Sequence, residues 1–165
     1  VLMHLVDANI PIDAKNRYLA FDIAPGFWNW LDHAHANSLA CSIDAVKREL
    51  LAGADELADW ARAHPGFFRP LDQATTAQFR DLSTWANSGQ YTPAALNAFA
   101  SNAADYLLVA HARAHGHTLV THEQSQPNAK KRVLIPDACL AMSVEFADTF
   151  TMLRRTRARL ELVTP

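Results

Sequence analysis

The chain has 165 residues, 50% of them hydrophobic and 19% charged, with 17 acidic against 15 basic side chains and a formal net charge of −2. At this length one core buries roughly 70% of the surface an unfolded chain exposes, so a single domain over residues 1–165 needs no disulfide or metal to fold. The composition excludes a disordered, collagen-like or disulfide-dense chain, and the near-even charge balance confines any nucleic-acid site to a local patch.

Cys41 and Cys139 stand far apart in no metal-ligand spacing, which fits a reducing cytoplasm. The apolar opening Val1–Val6 is shorter than a signal-peptide core, and no apolar run approaches the roughly 18 residues of a membrane span. A cytoplasmic protein without a membrane anchor is the expectation.

In chain order, Leu2 to Val6 predicts a central strand that stops at Asp7. Pro11–Tyr18 holds a turn or two of helix, and Phe27–Asn37 follows the Pro25-Gly26 break. Ser42 is placed as the cap of a helix whose core face is Ile43, Val46, Leu50 and Leu51, stopped by Gly53. Asp55–Ala63 reads as helix, Phe67–Leu71 as a short strand, Thr75–Ala86 as helix, and Pro93 as a first-turn residue for Ala94–Ala100. Ala103–His115, ended by Gly116, is the strongest helix, with Asp105, Leu108, Val109 and Ala112 on one face. Thr118–Thr121 is the next strand, Gln124–Lys131 a polar loop, Val133–Ile135 a third apolar strand, and Pro136-Asp137 opens a helix through Phe146. The tail to Pro165 is rich in arginine. Helices alternating with short apolar strands predict one α/β domain with a mainly parallel sheet.

Three of these strands end at or just before an acid: Asp7, Glu123 and Asp137. Ligands of open α/β sheets bind beyond the carboxyl ends of the strands, so all three are candidates for that crevice, with Asp105 expected on the same edge and Glu49 within reach of it. Crowded carboxylates repel unless a divalent cation neutralises them, and oxygen ligands select Mg²⁺ or Mn²⁺. The alternatives are ordinary: Asp7 as a turn cap, Asp137 as a helix N-terminal charge, Glu49 as a solvated acid.

Leu5-Val6-Asp7-Ala8-Asn9-Ile10, Ser42-Ile43 with Val46 and Glu49-Leu50, Ala104-Asp105-Tyr106 with Ala110-His111-Ala112, and Leu119-Val120-Thr121-His122-Glu123, in that order, resemble a PIN domain. The stretches Asp7–Tyr18, Phe21–Trp30, Tyr91–Asp105 and Ile135–Cys139 resemble, more narrowly, a bacterial and archaeal PIN-like subfamily. The resemblance implies a PIN-like α/β/α sandwich and a metal-dependent nuclease, many relatives being the ribonuclease toxin of VapC-type toxin–antitoxin pairs. It implies Mg²⁺ or Mn²⁺ on Asp7, Glu49, Asp105 and Glu123, hydrolysis of phosphodiester bonds in RNA, and Asn9 and Thr121 in support. The family pattern has Asp where this chain has Glu123, so Asp137 supplements or replaces it. A homodimer and a cognate antitoxin are the implied partners. A catalytically weakened RNA- or protein-binding module and a DNA-directed nuclease are the alternatives.

Lys15 and Arg17 follow the first acid closely enough to meet a phosphate, and Lys130, Lys131 and Arg132 are candidates for steering an RNA backbone; a solvated face is the alternative. His122 is placed to contact substrate or a metal-held water. Trp28 and Trp30, two apart, cannot both point inward on one helix face, which nominates one for a partner surface. His111 and His115 share a helix face, but without HExxH or paired cysteines their spacing alone makes a weak zinc motif. No P-loop, GxGxxG or GxSxG pattern is present.

Overall fold

Leu5 and Val6, fully buried, lie in β1 (His4–Val6), the middle strand of a five-stranded sheet. The computed structural model describes residues 2–101 and 103–164; Val1 and Pro165, the ends of the predicted opening run and tail, lie outside them. With β2 (Ala40–Ile43), β3 (Phe68–Arg69), β4 (Thr118–Val120) and β5 (Phe146–Ala147), the order is β3-β2-β1-β4-β5 and every pairing is parallel. The chain is an α/β/α sandwich, as expected. A parallel sheet needs cover on both faces, and right-handed crossovers put the connections before β3 on one side and those after it on the other. α3 (Asp44–Ala52) packs on α4 (Glu56–Ala63), α8 (Ala103–His115) packs on α5 (Gln73–Thr76), α7 (Pro93–Ser101) and α9 (Ile135–Ala141), and α3 and α8 also touch each other. Among the described residues no helix is long and apolar enough to cross a membrane.

Several local expectations are corrected. Ser42 caps no helix. It lies in β2, fully buried, and its hydroxyl donates to the Val6 carbonyl at 2.6 Å, so a polar residue is accommodated in a central strand by an internal partner. Ser42→Ala is expected to lower stability by about 1 kcal/mol, read as a shift in denaturation midpoint at constant slope. Val133–Ile135 is buried but not a strand: Ile135 begins α9, and its N–H goes to the Glu123 carboxylate at 2.7 Å instead of to a sheet ladder. The helix expected to reach Phe146 stops at Ala141, because Ser143 turns through a positive φ of 55° and Val144 N–H closes on the Cys139 carbonyl; the chain then enters β5. Thr75–Ala86 divides into α5 and α6 (Phe79–Ser88).

Trp28 and Trp30 are both buried in α2 (Pro25–Ala36), so neither supplies a partner surface. The single-face argument fails because the segment before α2 folds back over it: Phe21 stacks on Trp28 at 3.8 Å, and the Trp28 indole N–H donates to the Leu19 carbonyl. Trp60 closes the far side of the cluster.

Candidate functional site

The connections leave β1 toward β2 on one side and arrive at β4 on the other, so the order reverses between β1 and β4. Ligand sites of open α/β sheets collect at such a switch point, beyond the carboxyl ends of the strands. Asp7 is the first residue past β1, and its backbone N–H still bonds the Val120 carbonyl of β4 at 3.0 Å. Thr121, the first residue past β4, donates its hydroxyl to Asp7 Oδ2 at 3.0 Å. The same hydroxyl accepts the Glu123 N–H at 3.2 Å, which commits its proton to Asp7. Asn9 Nδ2 points at Asp7 Oδ2 from 3.5 Å, at the limit of a hydrogen bond.

Asp105 reaches the same edge from the opposite direction. A helix that feeds a parallel strand starts at that strand's carboxyl end, and Asp105 sits in the first turn of α8, which leads into β4. Asp7 is 3% exposed. Burial, then the charges of Asp105 and Glu123, push its carboxyl up to about 7, against the opposing pull of the Thr121 and Ala8 hydrogen bonds. Burial followed by Glu123 and Glu49 push Asp105 up to about 6, with Arg132 opposing. Glu49, on α3, is an exposed residue whose own carboxyl is raised by partial desolvation. Four of the predicted acids therefore share one electrostatic field. They do not form a tight cage: among the described residues no three of them bring ligand oxygens within 4.8 Å of one another.

Glu123 is the most constrained of the four. Its side chain is 8% exposed, one oxygen pairs with Arg132 and the other accepts the Ile135 N–H. Arg132 thus stands inside the centre as the partner of an acid and not as a free phosphate contact. Arg132→Gln is expected to raise the carboxyl pKa of Asp105, since Arg132 is its opposing charge; carbon-detected NMR titration of the side-chain carboxyl reads the shift.

A family model described as Domain of unknown function (DUF4411) matches residues 4–160. The chain belongs to this family. The match runs from β1 into the tail, across all four acids and the strands that position them. Comparison with curated proteins finds no match.

The other predicted residues of this DUF4411 chain fall outside the shared field. Asp137 is buried in the first turn of α9, and its oxygens accept from the Ser125 hydroxyl at 2.6 Å and the Gln126 N–H at 3.1 Å. It anchors the polar loop. Both ring nitrogens of His122 are engaged away from the acids, with Asp13 at 2.6 Å and Thr149 at 2.9 Å. Lys15 pairs with Asp55, and Arg17 lies 3.7 Å from Asp13 while remaining largely exposed. Asp13 and Asp55 were the missed partners; the legible signals were the four-residue spacing of Asp13 and Arg17 and the Asp55…Ala58 cap spacing at the start of α4. Lys130 and Lys131 are exposed on the loop that leaves Glu123, and among the described residues no carboxylate pairs with them.

Proposed function

We propose that the chain is a Mg²⁺- or Mn²⁺-dependent endoribonuclease of PIN type, acting in the cytoplasm as the toxin component of a toxin–antitoxin pair. The observation that carries this reading is the shared field of Asp7, Asp105, Glu123 and Glu49 at the switch point, with two carboxyls driven toward neutrality in the absence of a cation. Desolvated acids that raise one another's pKa are a costly arrangement for a purely structural role, and a hard dication is a species that relieves it. Asp7, Asp105, Glu49 and Glu123 would hold the ion, which when bound supplies an activated water and charge stabilisation at phosphorus. Thr121 orients Asp7 by donating to it, and Arg132 fixes Glu123. Lys130 and Lys131 offer free positive charge to draw a polyanion toward an acidic centre that would otherwise repel it. A homodimer and a cognate antitoxin complete the reading.

The test is incubation of purified protein with single-stranded and structured RNAs in Mg²⁺, Mn²⁺ or EDTA, with a DNA panel beside them. Metal-dependent RNA cleavage is expected; DNA cleavage alone would assign the nuclease to the other polymer. Growth arrest on expression reads the toxin role, and light scattering reads the dimer.

A second reading has its own support. Both oxygens of Glu123 are already engaged, and Glu there in place of Asp adds a methylene. A domain that binds RNA or protein without cutting it would tolerate both features. Retained RNA binding with no cleavage in either metal would favour this alternative.

A further inference from the structure

At the opposite edge of the sheet, three side chains converge that the acidic centre does not use. His111 and His115, four apart on α8, present their rings on one helix face with centroids 4.4 Å apart. Asp72, the N-cap of α5, meets them there: His115 Nε2 lies 2.8 Å from Asp72 Oδ2. One ring nitrogen from each histidine and one carboxylate oxygen all lie within 4.8 Å of one another. The side chains line an open cleft of about 450 Å³ whose wall includes Met3, Ser38 and His117, the residues before β1, β2 and β4. Those residues mark the amino edge of the sheet, whereas Asp7 and Thr121 mark the carboxyl edge.

We propose that Asp72, His111 and His115 form a binding site for zinc or a similar borderline transition ion, separate from the acidic centre. Two imidazoles and a carboxylate, with one position open to water or an anion, are a donor set that zinc takes and that Mg²⁺ does not select. The surrounding groups hold these donors in place. Asp72 Oδ1 accepts the Thr75 N–H at 2.8 Å, leaving Oδ2 for the ion. Thr75 Oγ1 lies 3.1 Å from His111 Nδ1, where its oxygen can take the Nδ1 proton and orient the ring, as ligand histidines require. His117 is not in the set: its Nδ1 accepts the Met3 N–H at 3.2 Å, which leaves Nε2 protonated. Arg69 lines the cleft as well, so the ion sits against one like charge, which Asp72 offsets. Bound there, the ion clamps the Asp72 segment onto α8.

The test titrates the untagged full chain with Zn²⁺ against a chromogenic indicator, in excess Mg²⁺ to occupy the acids, and repeats it with Co²⁺ read by visible absorption. Asp72→Asn keeps the α5 cap, and His115 is only partly buried, so His115→Gln spares the core; melting curves confirm that both variants fold. One equivalent of tightly bound zinc is expected, weakened on the order of 100-fold in either variant, unchanged in Asp105→Asn, with a four-coordinate Co²⁺ spectrum that both variants lose. Three outcomes overturn the site: no stoichiometric binding at micromolar protein, binding indifferent to Asp72→Asn and His115→Gln, or binding lost in Asp105→Asn.

Discussion

Asp105→Asn is expected to lower metal-dependent RNA cleavage by at least about 100-fold, equivalent to roughly 3 kcal/mol of transition-state stabilisation, while leaving the melting temperature in EDTA unchanged or higher. The residue is well suited to this test. Asp105 sits in the first turn of α8 and is only partly buried, so the amide replaces it without opening the core. What the substitution removes is one of the carboxylates that raises Asp7, so Asp7 should become easier to ionise as the metal site loses a ligand. Asp7→Asn should abolish cleavage as completely. A metal-binding titration separates two explanations of lost activity: a variant that still binds Mn²⁺ as tightly as the parent has lost a reacting group, and one that does not has lost a ligand. Full turnover by both variants would remove the acids from the chemistry altogether.

The acids that share the site were the ones with a topological reason to be there. Asp7 follows a strand too apolar to be anything but central, and Asp105 opens a helix that must return to the sheet, so their common edge was legible from order and hydrophobicity. Glu123 lies within the electrostatic field of both, but its ties to Arg132 and Ile135 N–H were not legible, since a residue nine positions on and another twelve on meet it only after the polar loop has folded back. Asp137 and His122 also follow apolar runs but have a different fate in space. Asp137 is taken by Ser125 and Gln126 of the polar loop, and His122 by Asp13 and Thr149, which meet it only across the folded chain. The strand assignments failed for a related reason. Val133–Ile135 has the composition of a strand but no place beside β4, the strand it follows, because β4 is already flanked by β1 and β5; Ala40–Ile43 has little of that composition yet lies against β1. Burial is written in composition, whereas pairing depends on which edges the rest of the chain leaves open.

The raised carboxyls also make stability itself a reporter. A carboxyl whose folded pKa exceeds its unfolded value stabilises the fold only while both states hold the proton, so that contribution is present below about pH 4 and is lost as pH rises through about 7 for Asp7 and about 6 for Asp105. In EDTA these two carboxyls therefore contribute a loss of stability between pH 4 and pH 8, while His111 and His117, pushed down to about 4 by burial, contribute a gain as pH rises from 4 to 6.5, so the carboxyl effect is read as the difference between the parent and a carboxyl variant. Asp7→Asn removes the larger part of that loss while keeping an oxygen for the Thr121 hydroxyl to reach. It should leave the melting temperature nearly unchanged at pH 4 and raise it at pH 8 by roughly 5–10 °C, reflecting on the order of 2–4 kcal/mol for a buried charge no longer formed. Mn²⁺ should invert the ranking. At pH 8 the parent gains stability from the ion and Asp7→Asn does not, and at pH 5 the parent gains little because protons occupy the same oxygens. Equal stabilisation of both proteins by Mn²⁺ at pH 8 would place the cation elsewhere, and the amino-edge histidines would be the first place to look.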